Sequence, residues 1–592
     1  LFCDEGMQVT PESTAVFSEH FMIKILNQRG KQYFSEAVIS YDSTYDRVEL
    51  EYARTIRPDG VVVSVGNRHI RDVSKYLNFP LYSNARARII SFPEVTEGCV
   101  IEYKYKIYRN QLINENDFAF VYGLQESEPI IQAKLKLTIP KTGKPLHYKI
   151  LNSNYNTFGA KLEPAIKESP EYKEYLWGFK DIPAIIPEAN MPPGPKINPI
   201  IFISTFSSWQ EVYDWWSSLA FDKIQADEAI KQKVVELTEG KTEIIDKVRA
   251  IYNFCAEDIR YVAVEYGQAG YEPHKATDIF FNKYGDCKDQ AVLLITMLAE
   301  AGAEAYPVLI GTYENIDLQE DLPSMIFNHA IAAVQLGEGL VFLDPTCPTC
   351  SFGNLPPDDQ ERKVLVFRDG GYEIRTTPLY PAAHNYLKRV LKMEINADET
   401  IRAEKLIYTF GLYDSPQRAW LKYSSEDAIS ESLKQAIQDI SPAARLIKYD
   451  IENLDDLNKS VLLSYSFSGR EYWTNAGNLR IFPQLASLDT SMTAKQLRRY
   501  PLDLGMPNTR ITETEVSLPA DVKLSYLPRD FQGTSPWLDL NIEYNIEDGR
   551  LYFKQVVKIK TRDVRLSEYS EFKNFIEKIS TQIRERIIFE YD

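Results

Sequence analysis

Three observations predict a multidomain α+β protein, with an α+β core between an N-terminal β-sandwich and a C-terminal mostly-β domain. Strictly alternating apolar and charged residues run through the first part, prolines interrupt the chain near residue 190, and helical spacing followed by short apolar runs marks the middle. At 592 residues the chain exceeds one hydrophobic core, and a usual domain size of about 100–200 residues implies about three or four domains.

From Ala15 to Pro140 the pattern is strand-like. Ile101-Glu102-Tyr103-Lys104-Tyr105-Lys106-Ile107 and Ala133-Lys134-Leu135-Lys136-Leu137-Thr138-Ile139 each present one apolar and one polar face, the mark of half-buried antiparallel strands. Turn signals at Pro58-Asp59-Gly60 and Thr142-Gly143 separate strands, and together they predict a β-sandwich over residues 1–182. Six prolines between Pro183 and Pro199 then remove donors and hold their neighbours extended, which predicts a stiff linker over 183–199.

The middle domain, 200–375, starts helical. Trp209, Val212, Tyr213, Trp215 and Trp216 recur at helical spacing, a core pattern more than a ligand platform, and further helices are expected over Asp227–Glu239 and Thr242–Glu257. A helix opening at Cys287 carries Ala291, Leu294, Ile295 and Leu298 on one stripe and stops at Gly302. Strands follow at Tyr306–Ile310, His329–Leu336 and Leu340–Leu343, the last two joined by Gly337-Glu338-Gly339. Helices first and sheet afterwards give an α+β domain. Strand patterning returns over 376–592, with a hairpin signal at Asn396–Glu399, a helical insert near Ser425–Ile440 and a terminal helix from Glu571 to about Arg586. The sequence shows no internal repeat.

Charge narrows the function. Lys and Arg number 67 against 84 Asp and Glu, a net −17, which argues against a nucleic-acid partner. No apolar run approaches the roughly 18–20 residues that would span a bilayer, so no transmembrane segment is expected. Numbering begins at Leu1 without Met, as in a processed precursor or a trimmed chain, and any export signal would lie outside the visible chain. Six cysteines are too sparse for a disulfide-built scaffold. Cys347-Pro348-Thr349-Cys350 leaves a local disulfide and free thiols open, while a zinc site lacks a second ligand pair. Neither metal nor cofactor is expected, and the oligomeric state is not legible.

The chemistry centres on Cys287. Asp286 is a good N-cap and Asp289 stands three residues on, a carboxylate version of the capping box that places Cys287 in a first helical turn. The helix dipole favours a thiolate there by about 0.3–1 kcal/mol, whereas the two flanking aspartates oppose it. Activation then falls to a histidine. His329 opens one strand of the predicted hairpin and Asp344 follows the other, so both reach the same end of the sheet, although simple register sets His329 opposite Thr346. Cysteine, histidine and aspartate are the parts of an activated thiol nucleophile. His274 could line the approach to Cys287 or lie on a surface loop.

Gly285-Asp286-Cys287-Lys288-Asp289, Asn328-His329-Ala330 and Leu343-Asp344-Pro345-Thr346 resemble the transglutaminase-like superfamily, a set of papain-related cysteine enzymes. Arg260-Tyr261-Val262 and Tyr271-Glu272-Pro273 extend the likeness, and Ala53-Arg54-Thr55 with Pro58-Asp59-Gly60 is similar to an N-terminal domain found before this core in Bacteroidetes proteins. The resemblance implies a papain/transglutaminase-like α+β core with Cys287 as nucleophile, His329 as general base and acid, and Asp344 as orienting carboxylate. These motifs do not fix the oxyanion donor, for which Gln268 and the backbone N–H of Cys287 are the candidates. The implied activity is attack on an amide through a thioester, with a peptide or protein substrate, in an exported protein of the periplasm or cell envelope. Transfer to an amine, or an interaction protein with an inactive core, are the alternatives.

Overall fold

The computed structural model describes residues 1–75, 84–112, 114, 117–263, 270–368 and 370–591. Its N-terminal part is built on an eight-stranded sheet in the spatial order Ala165–Glu168, Tyr172–Ile182, Ile130–Pro140, Phe2–Val9, Ala15–Lys24, Val100–Arg109, Asp46–Ile56 and Val62–Ser64. Neighbours are antiparallel except the parallel pair Phe2–Val9 and Ile130–Pro140. The register Ala133, Cys3, Phe21, Tyr103, Ala53 sets one face inward across the strands. Two three-stranded sheets cover that face, so the arrangement is a sandwich of one large sheet against two small ones.

One of the small sheets changes the expected boundary. Ile200–Ser204, assigned from sequence to the middle domain, lies between His147–Leu151 and Ala119–Gly123 and is buried at all five positions. Five consecutive buried residues suit the centre of a covered sheet, and the partner strands all come from the first domain. The proline segment before it is likewise not a free spacer. Glu188 ion-pairs with Lys495 at 3.1 Å and Arg498 at 3.6 Å in the C-terminal part, and Asn198 donates to the Gln125 carbonyl at 2.8 Å. Prolines cannot join a ladder, so the polar groups left between them bond to the domains on either side.

In the middle domain, helices Trp209–Ala220, Glu228–Thr238, Ile244–Asp258, Ala276–Asn282 and Cys287–Glu300 pack on an antiparallel sheet. Its order is Gly339–Leu343, His329–Leu336, Ala305–Ile310, Lys363–Arg368, Gly371–Thr376. Trp209 and Trp216 are core residues. The helix opening at Cys287 is buried on every side from Cys287 to Leu298, where the sequence suggested one stripe. Val248 and Ile251 of a neighbouring helix meet it on one side, Val334 and Leu343 of the sheet on another, so it is the hub of the domain.

The C-terminal part is a second eight-stranded sheet: Arg445–Glu452, Leu462–Gly469, Ile401–Thr409, Tyr386–Ile395, Asn508–Ser517, Arg550–Ile559, Leu538–Glu547, Phe531–Thr534. Helices Asp414–Tyr423, Glu426–Gln438 and Tyr569–Gln582 accompany it, and the chain returns to a strand at Ile588–Tyr591. Seven strands of each large sheet, numbered in chain order within their domain, share the spatial order 6-7-5-1-2-4-3, with the same parallel pair (1 with 5) at the centre. The flanking domains thus repeat one sheet topology that the sequence does not reveal. The chain as a whole is strongly β-rich, and the α+β description holds for its middle third.

Candidate active site

Cys287 is the first residue of its helix, and the cap expected from the sequence is present. The Asp286 carboxylate accepts from the Asp289 N–H at 3.3 Å, and the Asp289 carboxylate accepts from the Asp286 N–H at 3.2 Å. This closure requires Gly285, because a Cβ there would stand 2.6 Å from the Asp289 Cβ. Cys287 lines a cleft of about 400 Å³ together with Lys288, Trp216, His329 and, from the N-terminal domain, Tyr45 and Arg109. Two domains therefore share the space in front of the sulfur.

His329 opens its strand, and the hairpin ladder ends at Ala332 opposite Leu343. Beyond that rung the chain turns at Asp344, whose Oδ1 accepts from the Thr346 N–H at 2.9 Å and the Thr346 hydroxyl at 2.7 Å. The turn swings Asp344 back, so that its Oδ2 lies 3.3 Å from His329 Nε2 instead of leaving Thr346 to face the ring. Tyr252, buried in the core, donates to the carbonyls of Asp344 and Cys350, each at 3.2 Å, and a Cys347–Cys350 disulfide closes the loop. Of the two sequence readings of that cysteine pair, the structure has the disulfide.

The electrostatics follow from burial. Burial opposes a charged His329, but the Asp344 charge and hydrogen bond, aided by the Cys287 side chain, outweigh it and hold the imidazole well above its ordinary range. Burial likewise opposes the Asp344 charge, and the His329 ring and Thr346 donors hold its carboxyl low. Asp359 is a third member that no sequence signal marks. It ends the single helical turn Pro357–Asp359, is buried, and places Oδ2 3.9 Å from His329 Nε2. Burial and then the Asp344 charge push its carboxyl well above the usual range beside the His329–Asp344 pair.

Each flanking aspartate, which the sequence set against a thiolate, has a basic partner beside it, Lys288 for Asp286 and His274 for Asp289. Buried Lys288 pairs with Asp286, and despite burial the Asp286 and Asp289 charges raise its ammonium above the ordinary range. Asp289 accepts from His274, whose Nδ1 lies 3.1 Å from Oδ2, and that hydrogen bond raises the His274 imidazole. His274 is thus a partner of the helix cap and not part of the cleft lining. Gln268 lies outside the described residues.

Donor atoms of His329, Asp344 and Asp359 fall within 4.8 Å of one another, close enough for a divalent cation. Thr346 and His329 already occupy the Asp344 oxygens, and burial with the Asp344 charge disfavours the anionic Asp359 that a ligand set would need. Among the described residues no helix is long and apolar enough to cross a membrane.

Comparison with known proteins follows the same division. Residues 11–186 match a domain of unknown function, DUF3857, residues 231–345 match the transglutaminase-like superfamily, and residues 478–589 match a second domain of unknown function, DUF3858. No curated protein matches the chain. A crystal structure of a candidate protease from Parabacteroides distasonis is similar over 100% of this chain and 98% of that one, with TM-score 0.72 at 13% identity, a likeness of fold. A candidate cysteine protease from Cytophaga hutchinsonii, at 11% identity and TM-score 0.16, covers 56% of this chain and 76% of that one. Residues 231–345 therefore form a transglutaminase-like domain, set between the two domains of unknown function.

Proposed function

We propose that the protein is a cysteine hydrolase of amide bonds in peptides, acting through a thioester on Cys287. The observation that carries this reading is the convergence of Cys287, at a capped helix start, with His329 and its buried Asp344 in one two-domain cleft. The Cys287 sulfur attacks the amide carbonyl as the C–N bond breaks, and the His329 imidazolium gives its proton to the departing nitrogen. Water then attacks the thioester, His329 takes its proton, and the C–S bond breaks. Asp344 fixes the ring and supports its charge in both steps. The Cys287 backbone N–H, unused at the first helical position, serves the oxyanion.

The papain-like character of the core and an exported, cell-envelope location belong to the same proposal. The disulfide beside the site supports an oxidising compartment. The test is trapping: incubation with a peptide-amide library and mass spectrometry of the intact chain. A thioester adduct on Cys287, absent in Cys287→Ala and slowed at least 100-fold in His329→Ala, is the expected result. Peptide cleavage that persists in Cys287→Ala would overturn it.

A further inference from the structure

The N-terminal sandwich borders a second space that the chemistry above does not use. Between its large sheet and the strand Ala119–Gly123 lies a cavity of about 310 Å³, walled by Phe17, Leu137, Phe120 and Tyr122 and closed by Phe206 and Trp215 of the middle domain. It is continuous with the Cys287 cleft, since Arg109, Leu112, Tyr271 and Met325 line both. Mostly apolar and joined to a reactive centre, it has the character of a ligand subsite.

Two carboxyl groups break the apolar lining. Glu5 and Glu19 are direct cross-strand partners on the inward face, where like charges oppose one another. The other charged residues of the lining are already matched. Arg109 holds Asp46 through two contacts of 2.8 and 2.9 Å, and Asp117 takes Lys144 at 2.7 Å. Among the described residues Glu19 receives only the Tyr105 hydroxyl, and no cation pairs with either glutamate. The groups that act on them are acids or neutral: Asp4, Glu126, Tyr105 and each other. Burial, then Glu19, Glu126 and Asp4, push the Glu5 carboxyl up to about 7. Two facing carboxyls beside aromatic walls suit a positive charge on an apolar body.

We propose that this cavity is a substrate subsite for a primary ammonium carried on an apolar stem, held between Glu5 and Glu19 while the rest of the substrate lies across Arg109 in the Cys287 cleft. Binding of the ammonium is independent of the Cys287 reading, whereas the role of substrate rests on it. The full chain carrying Cys287→Ala is titrated at pH 7.5 with 2-phenylethylamine and, separately, with the uncharged 2-phenylethanol, by calorimetry. The amine is expected to bind at least tenfold more tightly than the alcohol, and Glu5→Gln or Glu19→Gln to erase that preference while the alcohol still binds. Equal affinities for the two compounds, or no saturable binding of either, overturns the proposal without touching Cys287. Amine binding together with an unreactive Cys287 keeps the cavity and removes the substrate role.

Discussion

The two flanking sheets have one topology and opposite interiors. In the C-terminal domain buried charge is tied down: Arg418, on the helix Asp414–Tyr423 and fully buried, holds Asp414 at 3.1 Å and donates to the carbonyls of Asn453, Leu454 and Lys459 at 2.5–2.6 Å. Where its sheet does carry unmatched charge it is basic, with Lys405 pushed down to about 8 by burial and then Arg389. The N-terminal sheet has an acidic pair on the corresponding first hairpin, Glu5 and Glu19, and leaves it open to the cleft before Cys287. The difference teaches that the same backbone frame serves stability where its charges are paired and recognition where they are not.

The largest expected effect breaks the paired side. Arg418→Ala leaves Asp414 and three carbonyls without their donor and should cost about 3–5 kcal/mol, seen as a separate early transition in thermal unfolding while alkylation of Cys287 keeps its rate. Loss of less than 1 kcal/mol would mean that the network does not carry the C-terminal domain.

The acidic side should respond to pH. Because the folded Glu5 carboxyl titrates near 7, above its ordinary value of 4.5, the folded state holds a proton that the unfolded chain has released, and stability falls as pH rises from about 4.5 to 7. Glu5→Gln should therefore gain on the order of 2–3 kcal/mol at pH 8 and nothing at pH 4, by urea unfolding at the two pH values. The basic side should run the other way. Lys405 disfavours the folded state while charged, so Lys405→Met should gain about 1–2 kcal/mol at pH 7 and converge with the parent above pH 10. The gain is smaller because a lysine stem can carry its ammonium toward water. Parallel pH responses of the two variants would remove the contrast between the domains.

Local chemistry was legible in the sequence; shared surfaces were not. The cap at Asp286 and Asp289, the hairpin that brings His329 toward Asp344, and the Trp209–Trp216 core face follow from residues a few positions apart. The ladder stops at Ala332 opposite Leu343, and the turn at Asp344 decides which residue meets the ring. Asp359 escapes notice because it joins the site from a distant turn without a motif. Arg109 and Tyr45 reach the cleft from another domain, and Ile200–Ser204 belongs to the first domain through non-local pairing. The repeated sheet order is a property of which strands pair, and period-two patterning is the same for any order.

Central to the account is that His329, oriented by Asp344, keeps the Cys287 sulfur reactive. The direct measurement is the rate of Cys287 alkylation by iodoacetamide between pH 5.5 and 10, followed by peptide mass spectrometry in the parent and in His329→Ala. The account predicts that the substitution slows alkylation at pH 6 by at least tenfold and has little effect at pH 10, where any thiol ionises unaided. Superimposable pH profiles for the two proteins would contradict it.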